Sequence, residues 1–153
     1  MLQGIKQNDN RLSEPIRKYG CLFLCFAEVS PVFFSGDAGC EALNRMWDLA
    51  ISEGKMTGDL NGDGDMDDPN EAVILSHNGI ARLFQLDVHY DGVHHDAEEQ
   101  IPPNVKFIFG QYFYKSGHFV ILNRNKDVIF DSLGYSNTVM NGKLKSMRWY
   151  YAD

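Results

Sequence analysis

Cys21 follows Gly20 and opens an apolar stretch, Cys21-Leu22-Phe23-Leu24-Cys25-Phe26. About a hundred residues later His118 follows Gly117 and opens a second one, Phe119-Val120-Ile121-Leu122, and Asp131 ends the short run Val128-Ile129-Phe130. Together these residue types can perform one chemistry. A thiol at a helix start faces unpaired backbone N–H groups, which favour the nucleophilic thiolate. An imidazole takes the thiol proton, and a carboxylate orients the imidazole and stabilises its charged form. Each residue alone says little. Their order, and the elements they open or close, point to a cysteine nucleophile acting on a peptide or related amide bond.

The remaining cysteines and histidines set the alternatives. Cys25 lies one helical turn after Cys21 and reads as a small buried hydrophobe. Cys40, after Asp37-Ala38-Gly39, also sits near a helix start and is the internal competitor; a carboxylate at Asp37 or Glu41 disfavours its thiolate and ranks it second. Three cysteines, two of them four apart on one helix, make a poor disulfide framework and read as reduced thiols. His94 and His95 share a polar stretch with Asp91 and Asp96, read either as a transition-metal group or as solvated surface. For Asp131 two roles stand open: orienting the His118 ring, or capping the turn before Gly134.

These residues need elements to position them. The continuous apolar run over 20–29 predicts a buried helix ended by Ser30-Pro31, with a strand as the compositional alternative. Leu43, Met46, Trp47, Ala50 and Ile51 recur at helical spacing after Ser35-Gly36-Asp37, predicting a second helix capped by Asp37 and stopped by Gly54. A third helix is predicted over 71–86, weakened by Gly79, and residues 87–104 read as a strand fragment plus a long surface loop. Residues 105–114, 118–122 and 128–130 are β-branched and aromatic, with a turn at 123–126, and residues 144–151 are placed to close the sheet. Pairing across that turn carries Asp131 toward His118. Helices first and antiparallel strands after define an α+β chain in one domain, 1–153.

With Gln7, Tyr19-Gly20-Cys21, Gly117-His118-Phe119-Val120-Ile121-Leu122 and Phe130-Asp131 in this order, the sequence resembles the bacteriocin-processing peptidases. These are papain-like enzymes that include the proteolytic domains of exporters cleaving double-glycine leaders. The resemblance implies a papain-like fold, with N-terminal helices packed on a C-terminal antiparallel sheet. It implies Cys21 as nucleophile, His118 as base, Asp131 as its orienter, and Gln7 with the Cys21 backbone N–H as the oxyanion hole. The chain departs from the family at Leu22, where many members carry glycine or another small residue. That substitution either narrows the substrate groove or marks a branch without activity.

Asp59-Leu60-Asn61-Gly62-Asp63-Gly64-Asp65-Met66-Asp67 is the second chemical signal. Oxygen side chains at loop positions one, three, five and nine, with glycine at six, match an EF-hand-type calcium loop. The match breaks at position twelve, where Asn70 stands and a glutamate arrives one place later as Glu71. Asp59, Asn61, Asp63, Asp65 and Asp67 are the expected ligands of a structural calcium ion; the rival reading is a flexible acidic surface loop.

A net charge of −7 with no basic stripe argues against nucleic acid as a partner. The start shows no signal-peptide pattern and the longest apolar run is far too short for a bilayer, so a cytoplasmic protein without membrane insertion is expected, with signal-free export or carriage in a phage particle left open. Three functions are carried forward: a cysteine peptidase acting on a peptide or protein substrate, a cell-wall or isopeptide amidase or acyl-transferase with the same triad, and a catalytically inactive papain-like module that binds partners through calcium.

Overall fold

The computed structural model describes residues 1–58, 63 and 73–153. The chain forms two compact units, Met1–Leu86 and Asp87–Asp153. Among the described residues, four helices lie in the first unit and an antiparallel five-stranded sheet forms the second, the order the hydrophobic patterns predict.

In the N-terminal unit, β1 (Leu2–Gln3) pairs in parallel with β2 (Phe34–Ser35). Helix α1 (Glu14–Tyr19) was not anticipated, although Pro15 at its start, Glu14 in its first turn and Arg17 and Lys18 in its last satisfy ordinary helix-end preferences. Gly20 joins it to α2 (Cys21–Val29). A side chain there is impossible without rearrangement, since a Cβ would sit 2.5 Å from the Ile16 carbonyl oxygen. Helix α2 is the helix read over 20–29, ended by an extended Ser30 ahead of Pro31. It buries Phe23, Leu24, Cys25, Phe26 and Ala27.

Helix α3 (Gly36–Ser52) buries Leu43, Trp47 and Ala50 on one face, and Gly54 at φ +70° follows its end. Its N-cap position is Ser35, not Asp37: Asp37 lies inside the first turn, where its carboxylate accepts from the Arg11 guanidinium at 3.1 Å. Helix α4 (His77–Leu83) is shorter than expected. Ile74 bridges Met56, so the segment before the helix is extended, and the Ser76 hydroxyl caps the helix by accepting from the Gly79 amide at 3.0 Å. Gly79, read as a weakness, suits that cap: a Cβ there would lie 2.8 Å from the Ser76 hydroxyl oxygen. Phe84, fully buried, contacts the rings of Phe23, Phe26 and Phe34 at centroid distances of 5.0, 6.4 and 6.0 Å.

In the C-terminal unit the strands are β3 (Val88–His94), β4 (Val105–Tyr114), β5 (Ser116–Leu122), β6 (Val128–Phe130) and β7 (Lys143–Ala152), in the order β3-β7-β4-β5-β6. The segment after Asp87, read as a fragment and loop, yields a seven-residue strand, and β7 occupies the inside of the sheet rather than an edge. A short helix, α5 (Asn137–Asn141), precedes β7. Val105, Ile108, Val120, Leu122, Met147 and Trp149 form the core cluster, with Val139 of α5 packed against it. Among the described residues no helix is long and apolar enough to cross a membrane.

Candidate active site

His118 is the third residue of β5, opposite Tyr112 of β4. Alternation along β5 puts its side chain on the face shared with Val120 and Leu122, members of the core cluster. Ile121 pairs with Phe130 of β6. Continuing that register by one residue sets Asp131 beside Val120, diagonal to His118 on the same face, a separation that a histidine ring spans. The Nε2 atom of His118 meets Asp131 Oδ1 at 2.7 Å, and the two side chains are 7% and 4% exposed.

The carboxylate is held on its other sides as well. Asp131 Oδ1 also accepts from the Leu133 amide at 3.0 Å, Oδ2 accepts from the Ser136 amide at 3.0 Å, and the Asp131 carbonyl accepts from Gly134 at 2.8 Å. Gly134, at φ +86°, makes the turn that brings these amides round. The two roles left open by the sequence are therefore both filled, because the same carboxylate caps the turn and bonds the ring. Burial pushes the Asp131 carboxyl up, but the bonds from His118, Ser136 and the two amides outweigh it and hold the pKa at about 2, against an ordinary 3.8. An ionised carboxylate only accepts, so the proton in the His118 bond resides on Nε2. In the neutral ring Nδ1 is then the basic nitrogen.

A depressed pKa in the folded state stabilises at pH above the unfolded value and is lost as pH falls through the folded one. From about pH 4 down towards pH 2 the unit should lose about 2 kcal/mol through Asp131 alone. Urea titrations at pH 6 and pH 3 should show a larger loss in the parent chain than in Asp131→Asn. An equal loss in both would refute the assignment.

Cys21 is the first residue of α2, half-buried, with Gly20 at the N-cap. It belongs to the N-terminal unit, and His118 and Asp131 to the C-terminal one. Cys25 and Cys40 are fully buried. Burial first, then Asp9 and Asp37, push the Cys40 thiol up, with Arg11 opposing; this is the handicap expected for the competitor, with Asp9 rather than Glu41 beside Asp37. Gln7 is buried, and its amide nitrogen donates to the carbonyls of Arg17 at 3.1 Å and Ile16 at 3.4 Å. The side chain therefore grips the end of α1 just ahead of Gly20 and Cys21.

Of the proposed calcium ligands, Asp59, Asn61, Asp65 and Asp67 lie outside the described residues, as does Glu71, and Asp63 is exposed. Among the described residues no group of three or more His, Cys, Asp or Glu side chains is arranged to hold a metal ion. His94 instead stacks on Trp149 at 3.5 Å between centroids and bonds Asp91 and Glu99 at 3.0 and 3.2 Å.

Sequence reasoning missed the Leu133 and Ser136 contacts. Main-chain donors have no side-chain signature, but Ser136-Asn137 ahead of Val139 is a helix-start pattern that places a cap five residues after Asp131. No curated protein and no solved structure matches the chain. A family model described as "Protein of unknown function, DUF261" matches residues 1–152, so the chain belongs to the DUF261 family.

Proposed function

We propose that the protein is a papain-like cysteine hydrolase that cleaves a peptide or related amide bond through Cys21, His118 and Asp131. The observation that carries this reading is the buried 2.7 Å bond from His118 Nε2 to Asp131, which makes Nδ1 the basic nitrogen of an oriented ring. In the reaction His118 Nδ1 takes the Cys21 thiol proton, and the thiolate sulfur forms a bond to the carbonyl carbon. The oxyanion is met by the Cys21 backbone N–H and by the Gln7 amide, which turns from the Arg17 carbonyl to reach it. As the C–N bond breaks, His118 returns the proton to the leaving amine and a thioester remains. Water, deprotonated by the same ring, then releases the acid and the thiol.

Mapping of iodoacetamide adducts near pH 6.5 tests the assignment. Cys21 should label while Cys25 and Cys40, both 0% exposed, stay protected until unfolding. Preferential labelling of Cys40 would overturn it, and an inert Cys21 would leave a catalytically inactive binding module. Double-glycine leader peptides set against cell-wall peptides and isopeptides separate the peptidase from the amidase or acyl-transferase.

The acidic loop, through Asp59, Asn61, Asp63, Asp65 and Asp67, is proposed to bind one calcium ion in a structural role, on the strength of its spacing alone. An ion that binds only the folded chain stabilises it by about 2.7 kcal/mol at a hundred times its Kd. The Tm should therefore climb with millimolar calcium, relative to magnesium and chelator. A flat response would leave an acidic surface loop.

A further inference from the structure

The chain is acidic as a whole, yet its middle strands are not. Strands β4, β5 and β7 contain no Asp or Glu and carry Lys106, Lys143, Lys145 and Arg148. On the sheet face opposite His118, Gln111 pairs with Ser146 and Phe119, and Phe113 pairs with Gly117 and Lys143. Arg148, two residues on from Ser146, projects from the same face. It is half-buried, and its guanidinium lies over the Phe119 ring at 4.6 Å from the centroid.

The partners of this guanidinium are neutral. Nη1 donates to the Ser146 hydroxyl at 2.6 Å and to Gln111 Oε1 at 3.4 Å, and that hydroxyl donates to Oε1 at 3.1 Å. Among the described residues no carboxylate forms an ion pair with Arg148, whereas Arg11, Lys18 and Lys55 each meet one. Burial pushes the guanidinium below its ordinary pKa, opposed by Tyr90 and Tyr150, which are neutral phenols at pH 7. An arginine nevertheless stays charged at working pH, so a half-buried positive charge stands without a counter-charge.

The same network orients the Gln111 amide. With Oε1 accepting from Ser146 and Arg148, the Nε2 end is turned towards Gly117, where a Cβ would lie 2.7 Å from it. Gly117 is exposed, so its missing side chain leaves room for the amide at the surface of the sheet. A guanidinium and an N–H₂ donor thus flank one fixed carboxamide oxygen. An anionic group with two oxygens complements both.

We infer that Arg148 and Gln111 form a binding site for the free carboxylate of a ligand with an apolar body, such as the C-terminal residue of a peptide. One carboxylate oxygen accepts from the Arg148 guanidinium and the other from Gln111 Nε2. The apolar body rests on the exposed Phe113, opposite Gly117, and Lys143 and Lys145 add long-range attraction. The site lies on the face turned away from His118 and stands whether or not Cys21 is a nucleophile.

Nuclear magnetic resonance of the full ¹⁵N-labelled chain tests it, following the Gln111 side-chain N–H₂ and the Arg148 Nε–H. N-acetylphenylalanine should shift both in a saturable manner, and its neutral primary amide should shift neither. Arg148→Met and Gln111→Glu should each weaken binding at least about tenfold, the loss of one charge-assisted contact. Gln111→Glu decides the matter if Arg148→Met fails to fold. It removes no bulk and sets an internal carboxylate against Arg148, so it should block the ligand without lowering the Tm. An equal response to the acid and the amide, or parent-like binding by a folded Gln111→Glu chain, overturns the inference and leaves Arg148 a structural residue of the sheet. Saturation by inorganic phosphate with no response to the acid overturns the carboxylate assignment.

Discussion

On the proposed mechanism, His118→Ala is expected to slow alkylation of Cys21 at pH 6 by about 10²-fold, the lower end of what a positioned general base contributes. Turnover of a cleaved peptide should fall further, by roughly 10²- to 10⁴-fold, since in the proposed mechanism the ring serves as base in one step and acid in the next. The fold should survive. Asp131 keeps the amides of Leu133 and Ser136 after the ring is removed, so its buried carboxylate is not left without donors. Circular dichroism and a Tm measured beside the alkylation rates establish that the variant is folded. A folded variant whose Cys21 reacts at the parent rate would remove His118 from the chemistry.

The largest effect on stability is expected at Phe84. Its ring is fully buried and touches Phe23 and Phe26 of α2 as well as Phe34 of β2. Its carbonyl accepts from the Ser30 hydroxyl at 2.7 Å, tying the end of α4 to the end of α2. Phe84→Ala should cost about 3–5 kcal/mol through lost transfer energy and the cavity left among three rings. That is a large share of the roughly 5–15 kcal/mol that holds a typical domain folded. Urea unfolding followed by fluorescence tests this, with Trp47 reporting the N-terminal unit and Trp149 the C-terminal one. A loss under about 1 kcal/mol would contradict the packing. Phe84→Leu, which refills most of the volume, should lie well below the alanine variant.

The parts of this molecule legible in its sequence are the local ones. Helices α2 and α3 carry strong apolar patterns and clear stops, and β4, β5 and β6 are consecutive strands joined by short turns. The His118–Asp131 contact was readable for the same reason, since a turn of a few residues fixes which side chains meet across it. Helix α1 escaped because its six residues bury only Ile16 and so show no periodicity, leaving Ser13, Glu14 and Pro15 as the signal. The start of α4 was misplaced because the cap is Ser76, five residues after the predicted start at 71. The position of β7 inside the sheet was not readable, because strand order comes from pairing over long sequence separations that composition does not record. The bonds of Gln7 to the Ile16 and Arg17 carbonyls were not readable, because they depend on a helix that the sequence pattern does not reveal.

The place of β7 between β3 and β4 has a consequence for how the chain comes into being. During synthesis β3 emerges first, yet its partner in the sheet is β7, whose residues emerge after all the other strands. The meander β4-β5-β6 can pair as it leaves the ribosome, because its neighbours are adjacent in sequence. Strand β3 and one edge of β4 must wait, exposing backbone donors and acceptors along Val88–His94 until Lys143–Ala152 arrives. A nascent chain arrested between α5 and β7 therefore holds the paired histidine and aspartate on an unfinished sheet, and the last ten-residue strand closes both edges in one event.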